Sequence, residues 1–172
     1  DKLVDFCDVK YVKFQKRNPK ELLSEEKYNM PHPVPSNSFG KTYGLHREKL
    51  EFNFKQHKKI QSYCKKKKIE YMCSAWDVTS LKQLIKLRVK HIKIPSACNN
   101  NEDLLITLFK EFDGYCHISL GMTTEFEERK IFELSNKYKK NKKLILYACT
   151  SDYPVKHKDI CLLEISRLRK KY

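Results

Sequence analysis

The chain has 172 residues, 40% hydrophobic and 33% charged, with a formal net charge of +15. That length buries a real core and suits one domain, and the composition excludes a disordered or fibrous chain. No apolar run is long enough to span a bilayer and no signal-peptide pattern is present, so a cytoplasmic protein with no membrane partner is expected.

The chain opens at Asp1 on what reads as the end of a helix, Asp1 to Cys7, and we take it as a piece of a longer protein. The segment Tyr11–Lys16 then reads as a strand. Val12 and Phe14 are apolar, while Lys13 and Gln15 lie two apart and so share the other face. Burying an unpaired ammonium costs several kcal/mol, so a strand lysine turned into protein asks for an anion.

Asn18 to Leu50 follows, with Pro19, Pro31, Pro33, Pro35, Gly40 and Gly44. It reads as an ordered functional loop with a short helix at Glu21–Tyr28, and His46 falls in it. Helical stripes then alternate with β-rich runs. Ile60, Tyr63 and Cys64 precede a strand at Ile69–Ala75, which leads to Ser74 and Asp77. Leu81, Leu84 and Ile85 precede His91–Ser96, where Lys93 sits between Ile92 and Ile94.

Leu104, Leu105, Leu108, Phe109 and Phe112 precede Tyr115–Leu120. Thr124 and Glu127 form a capping-box signal for the helix of Ile131, Leu134 and Tyr138. A strand at Leu144–Thr150 and a last helix through Ile165 and Leu168 complete the pattern.

Strands beginning at residues 69, 91, 115 and 144 lie 22 to 29 residues apart with helices between them, which argues for a parallel sheet. A (β/α)8 barrel uses roughly 30 residues per unit, and five strands cannot close one. The phosphate-binding G-x-G-x-x-G and Walker patterns are absent.

Seven cysteines without a C-x-x-C pair fit a reduced protein. The lysine-rich runs at 65–68, 139–143 and 167–171 sit at helix C-termini, where cations suit the helix dipole. A solvated rim is therefore expected there rather than a nucleic-acid surface. None of the six histidines is expected to ligate a metal.

Chemistry in α/β folds lies beyond the carboxyl ends of the strands. There the sequence offers Lys13, Gln15, Ser74, Asp77, Lys93, Ser96, Ser119, Thr150, Ser151 and Tyr153. Lysines and hydroxyls in this mixture suit a small, oxygen-rich anion.

The motifs Val12-Lys-Phe-Gln15, Phe39-Gly-Lys-Thr-Tyr-Gly44 with His46, Leu50-Glu-Phe52, Lys93-Ile-Pro-Ser96 with Asn99-Asn100, Ser119-Leu-Gly-Met122 and Cys149-Thr-Ser-Asp-Tyr-Pro154 carry a family resemblance. Together the chain resembles the catalytic barrel of the N-acetylneuraminate (sialic acid) synthase family. The resemblance implies one partial TIM-barrel domain over 1–172, with about five of eight parallel strands. The first strand, the last two strands and a C-terminal antifreeze-like domain would lie outside this chain.

The implied activity joins phosphoenolpyruvate to N-acetylmannosamine or its 6-phosphate in a homodimeric transferase. By motif, Lys13, Ser74, Lys93, Ser96, Ser119 and Ser151 would hold phosphoenolpyruvate, and Gln15 and Tyr153 would face the sugar. A divalent metal (Mn or Mg) would act as Lewis acid, with its ligands outside this chain. The family usually has a glycine and an acidic residue at the positions of Ala97 and Cys98, and a small or hydroxyl residue at Leu120. Those departures keep a non-catalytic anion- or protein-binding relative open as the alternative.

Overall fold

A computed structural model describes residues 2–172. They form two compact units, divided between Leu87 and Arg88. The first unit contains helix α1 (Lys2–Cys7), strand β1 (Tyr11–Lys16), α2 (Pro19–Leu22), α3 (Glu25–Asn29), α4 (Tyr43–Lys49), α5 (Phe54–Lys66), β2 (Glu70–Ala75) and α6 (Val78–Lys86). The second contains β3 (His91–Ile94), α7 (Glu102–Glu111), β4 (Tyr115–Ser119), α8 (Glu125–Lys137), β5 (Leu144–Tyr147) and α9 (Leu163–Lys171). The expected strands are all present, and so are the expected helices, except that the single helix predicted at Glu21–Tyr28 is two, because Leu23 is extended and Ser24 caps a new start. Strands β3, β4 and β5 end earlier than predicted; in β3 this is because Pro95 has no N–H for a ladder and Ser96–Cys98 turns into a 3-10 helix.

In the first unit β1 and β2 are parallel, with Lys13 beside Met72 and Gln15 beside Ser74. Residues in register share a face, so Val12, Phe14 and Lys16 lie with Tyr71, Cys73 and Ala75. Phe14 stacks on Tyr71 at 5.6 Å on this face. The opposite face carries Tyr11, Lys13 and Gln15 with Met72 and Ser74. Helices α5 and α6 pack on β2.

Helix α5 starts on a capping box of Asn53 and Gln56. Helix α6 starts on Asp77, whose carboxylate accepts from the Ser80 N–H and Oγ at 2.6 and 2.9 Å. The same carboxylate accepts from the Asn18 N–H at 2.7 Å, which fixes the exit of β1. Asp77, one of the strand-end residues, is thus a buried cap.

The stretch after β1 is more helical than expected. It is bound together by Tyr28 donating to Glu48 at 2.8 Å and by the Tyr43 N–H donating to the Met30 carbonyl at 2.7 Å. Gly44 packs against the face of the Tyr28 ring, where any Cβ would run into the ring carbons. His46 is a helical residue of α4 and is buried, rather than a loop residue.

In the second unit β3, β4 and β5 are parallel, with Lys93 beside His117 and Ser119 beside Tyr147. Ile92, Ile94, Cys116 and Ile118 point to one face and are fully buried. Leu104, Leu108 and Phe109 of α7 and Ile131 of α8 are buried in the same unit. His91, Lys93, Tyr115, His117, Ser119 and Tyr147 occupy the other face. The capping box at the start of α8 forms as predicted, with Thr124 accepting from the Glu127 N–H and Glu127 from the Thr124 N–H. All seven cysteines are free thiols.

Candidate anion-binding site

The sequence-predicted residues fall into two groups. In the first unit Lys13, Gln15 and Ser74 share the sheet face away from the Phe14–Tyr71 stack. Lys13 is exposed there, so the expectation that this lysine is turned into protein is not met. Within its unit β1 has only β2 beside it, and the Lys13 side chain reaches water. Ser74 is buried. The Gln15 amide is oriented by Trp76, whose indole N–H donates to its oxygen at 3.0 Å. Arg17 lies over the same indole at 5.7 Å.

In the second unit the turn after β4 draws three predicted residues together. The Gly121 N–H donates to Ser96 Oγ at 3.1 Å. A Cβ at Gly121 would collide with Ser151 Oγ and would lie 2.8 Å from Ser96 Oγ. Both hydroxyls therefore crowd one point on the Gly121 backbone, and only glycine admits that approach. The turn is held by the Asn99 amide, which donates to the Ser119 carbonyl at 2.8 Å and to Thr123 Oγ1 at 2.6 Å. Met122 completes it with φ of 59°.

Lys93 is half-buried, with its ammonium 5.9 Å from the centre of the Tyr147 ring. Tyr153, by contrast, is 98% exposed. Thr150 donates to the Asp159 carbonyl at 3.2 Å, a structural bond within its loop. Cys98 is buried in the turn after β3, and Leu120 is buried beside the groove that Leu168 also lines.

Sequence reasoning missed a hydrogen-bonded chain on the same sheet face. His91 Nδ1 lies 3.0 Å from His117 Nε2, and His117 Nδ1 lies 2.7 Å from the Tyr147 hydroxyl. His91 stacks on Tyr115 at 5.0 Å. Burial, then the neighbouring His91 and the positive charge of Lys93, push the His117 imidazole down to about 4. Two-residue spacing put His91 with Lys93 and His117 with Ser119, but only strand register brings Tyr147 to them.

Among the described residues no three His, Cys, Asp or Glu side chains are grouped to hold a metal ion. The resemblance puts the ligands of its divalent metal outside this chain. No helix is long and apolar enough to cross a membrane among the described residues.

Residues 3–172 match the NeuB family. This chain belongs to the NeuB family. It is 33% identical to the N-acetylneuraminate-9-phosphate synthase of Drosophila melanogaster over 161 residues, 94% of this chain and 42% of that protein. It is 29% identical to the N-acetylneuraminate-9-phosphate synthase of Mus musculus, over 95% of this chain and 45% of that one. The chain thus spans less than half the length of these curated relatives.

In three dimensions it resembles the N-acetylneuraminic acid synthetase of Leptospira borgpetersenii with a TM-score of 0.78 at 24% identity, over 96% of this chain and 52% of that one. That likeness shows the fold: the NeuB-family chain is an α/β segment of a (β/α)8 barrel with five parallel strands, as its sequence predicted.

Proposed function

We propose that this chain is the central part of a sialic-acid-synthase barrel that joins phosphoenolpyruvate to N-acetylmannosamine 6-phosphate or to N-acetylmannosamine. The observation that carries this reading is the meeting of the Ser96 and Ser151 hydroxyls on Gly121, beyond strands that also present Lys93 and Ser119. Hydroxyls and a bare backbone at close quarters suit the many oxygens of a phosphorylated enol acid. The 9-phosphate synthases among the relatives favour the phosphorylated sugar.

In this reading Lys93, Ser96, Ser119 and Ser151 of the second unit contact phosphoenolpyruvate, and Lys13 and Ser74 are assigned to it by motif alone. Gln15, already oriented by Trp76, and Tyr153 face the sugar. The enol carbon forms a bond to the aldehyde carbon, whose π electrons move to the aldehyde oxygen. Water adds to the resulting cation and its proton passes to the new alkoxide; the tetrahedral carbon then collapses to a ketone as its C–O bond to phosphate breaks, the hydroxyl proton leaving with the phosphate. The lysines offset anionic charge, and the hydroxyls fix the enol acid so that its carbon faces the aldehyde. Any divalent metal, manganese or magnesium, would be held by residues outside this chain, and the intact protein would be a homodimer.

The test is a phosphate-release assay on the intact protein with phosphoenolpyruvate and each sugar, with the nine-carbon acid identified by mass. Product with either sugar supports the reading. Binding of phosphoenolpyruvate without product would instead establish the non-catalytic relative.

A further inference from the structure

We propose that Tyr147 is the seat of the Lys93 ammonium, held in place through its hydroxyl by His117 and His91, and is thereby a positioning residue for anion binding in the second unit. The inference rests on the reading of Lys93 as an anion-binding residue and adds the parts that aim it. A lysine is a point charge on a flexible four-carbon stem, and about 2 kcal/mol of rotamer entropy resists its fixation. The face of an aromatic ring within about 6 Å attracts such a cation. Tyr147 offers that face at 5.9 Å.

Its ring is in turn tethered, because the hydroxyl lies 2.7 Å from His117 Nδ1. His117 is fixed from its other nitrogen by His91 at 3.0 Å, and the His91 ring stacks nearly flat on Tyr115, 9° between planes. With neutral imidazoles the proton count closes in either direction. Tyr147 donates to His117 and His117 to His91, or His91 donates to His117 and His117 to Tyr147. Either way both hydrogen bonds are made.

The register places the tether at the right level. Ser119 pairs with Tyr147, and Lys93 pairs with His117. The ring therefore sits beside Ser119, directly before the turn where Ser96 meets Gly121. A lysine resting on it is aimed at the carboxyl end of the strands rather than free to sweep the open face.

Two measurements test this. The first needs no ligand: lysines of the chain are 13C-dimethylated, and the Lys93 methyl resonance is assigned by its loss in Lys93→Met. The Tyr147 ring should shift that resonance upfield of the exposed lysines. Tyr147→Leu should return it among them, and Tyr147→Phe, which keeps the ring but not the tether, should leave a reduced shift. A Lys93 resonance lying with the exposed lysines in the unsubstituted chain would overturn the proposal.

The second is a titration with phosphoenolpyruvate. Tyr147→Leu should weaken binding about two- to fivefold in the native background, and by nothing further in Lys93→Met. Equal weakening in both backgrounds would mean a merely structural tyrosine. If the unsubstituted protein binds no phosphoenolpyruvate, the functional reading fails, and the resonance shift alone decides the placement of Lys93.

Discussion

Lys93 and Lys66 differ in surroundings, not in chemistry. Lys93 is half-buried over Tyr147, whereas Lys66 is exposed in the last turn of α5. Removing a desolvated charge from a bound phosphate or carboxylate costs about 2–5 kcal/mol. Calorimetric titration with phosphoenolpyruvate should therefore lose most affinity in Lys93→Met and none in Lys66→Met, and equal affinities would return Lys93 to the solvated lysines. Gly121→Ala is a second residue-scale test. Its methyl must push Ser151 and Ser96 apart and break the bond from the Gly121 N–H. A cost of about 1–3 kcal/mol in urea unfolding is expected, together with loss of binding. The face that carries Lys93 was legible from the two-residue alternation. Tyr147 was not, because its nearness to Lys93 depends on two strand registers that no spacing within one segment encodes. Nor did sequence reveal that Lys13 is exposed, since that depends on what flanks β1.

Elements were legible where a local signal starts them. Thr124 with Glu127 announced α8, and the Leu104–Phe112 stripe announced α7, because caps and periodicity are written within a few residues. The excursion after β1 was less legible. Its helices α3 and α4 are short, and they are held by distant pairs such as Tyr28 with Glu48. The docking of α9 was invisible for the same reason. It rests on Glu128 of α8, a buried carboxylate bound by Arg167, Lys171 and Tyr172. Burial raises that carboxyl, but the hydrogen bonds from Arg167, Tyr172 and Lys171 outweigh it and hold the group at about 2. Glu128→Ala should release α9. Because the stranded cations can reach water, the cost should be about 1–3 kcal/mol, below that of a wholly buried pair. Limited proteolysis should then cut at α9 first, and an unchanged digestion pattern would refute the clamp. Asp77→Ala, which removes a helix cap and the anchor of Asn18, should cost about 1–2 kcal/mol by the same unfolding assay.

For the molecule as a whole, the formal charge of +15 invites a polyanion partner, yet several of the cations are already spoken for. Lys140 and Lys143 pair with Asp113, and Arg167 and Lys171 pair with Glu128. The excess charge instead makes the fold sensitive to acid, and two buried histidines sharpen that sensitivity. His57 accepts or donates at Nδ1 with the Tyr71 hydroxyl at 2.6 Å, while its Nε2 is buried without a hydrogen-bond partner among the described residues. Burial, then the charge of Lys16, lowers His57 from 6.5 to about 4, and His117 is lowered to the same value. Between those values the unfolded chain binds protons that the folded chain refuses, so stability rises with pH there. It is fully present above about 6.5 and drains away as pH falls toward 4. Glu128 adds nothing in this window, because the unfolded carboxyl gains its proton only around its ordinary 4.5, and the stability it contributes drains away below that value toward 2. Urea midpoints measured from pH 7.5 to 4.5 should therefore fall steadily below pH 6.5. His57→Gln keeps a partner for Tyr71 and cannot titrate, and combined with His117→Gln it should flatten most of that fall. General repulsion among the cations would persist in the double variant, so an undiminished slope would assign the acid sensitivity to net charge rather than to these two imidazoles.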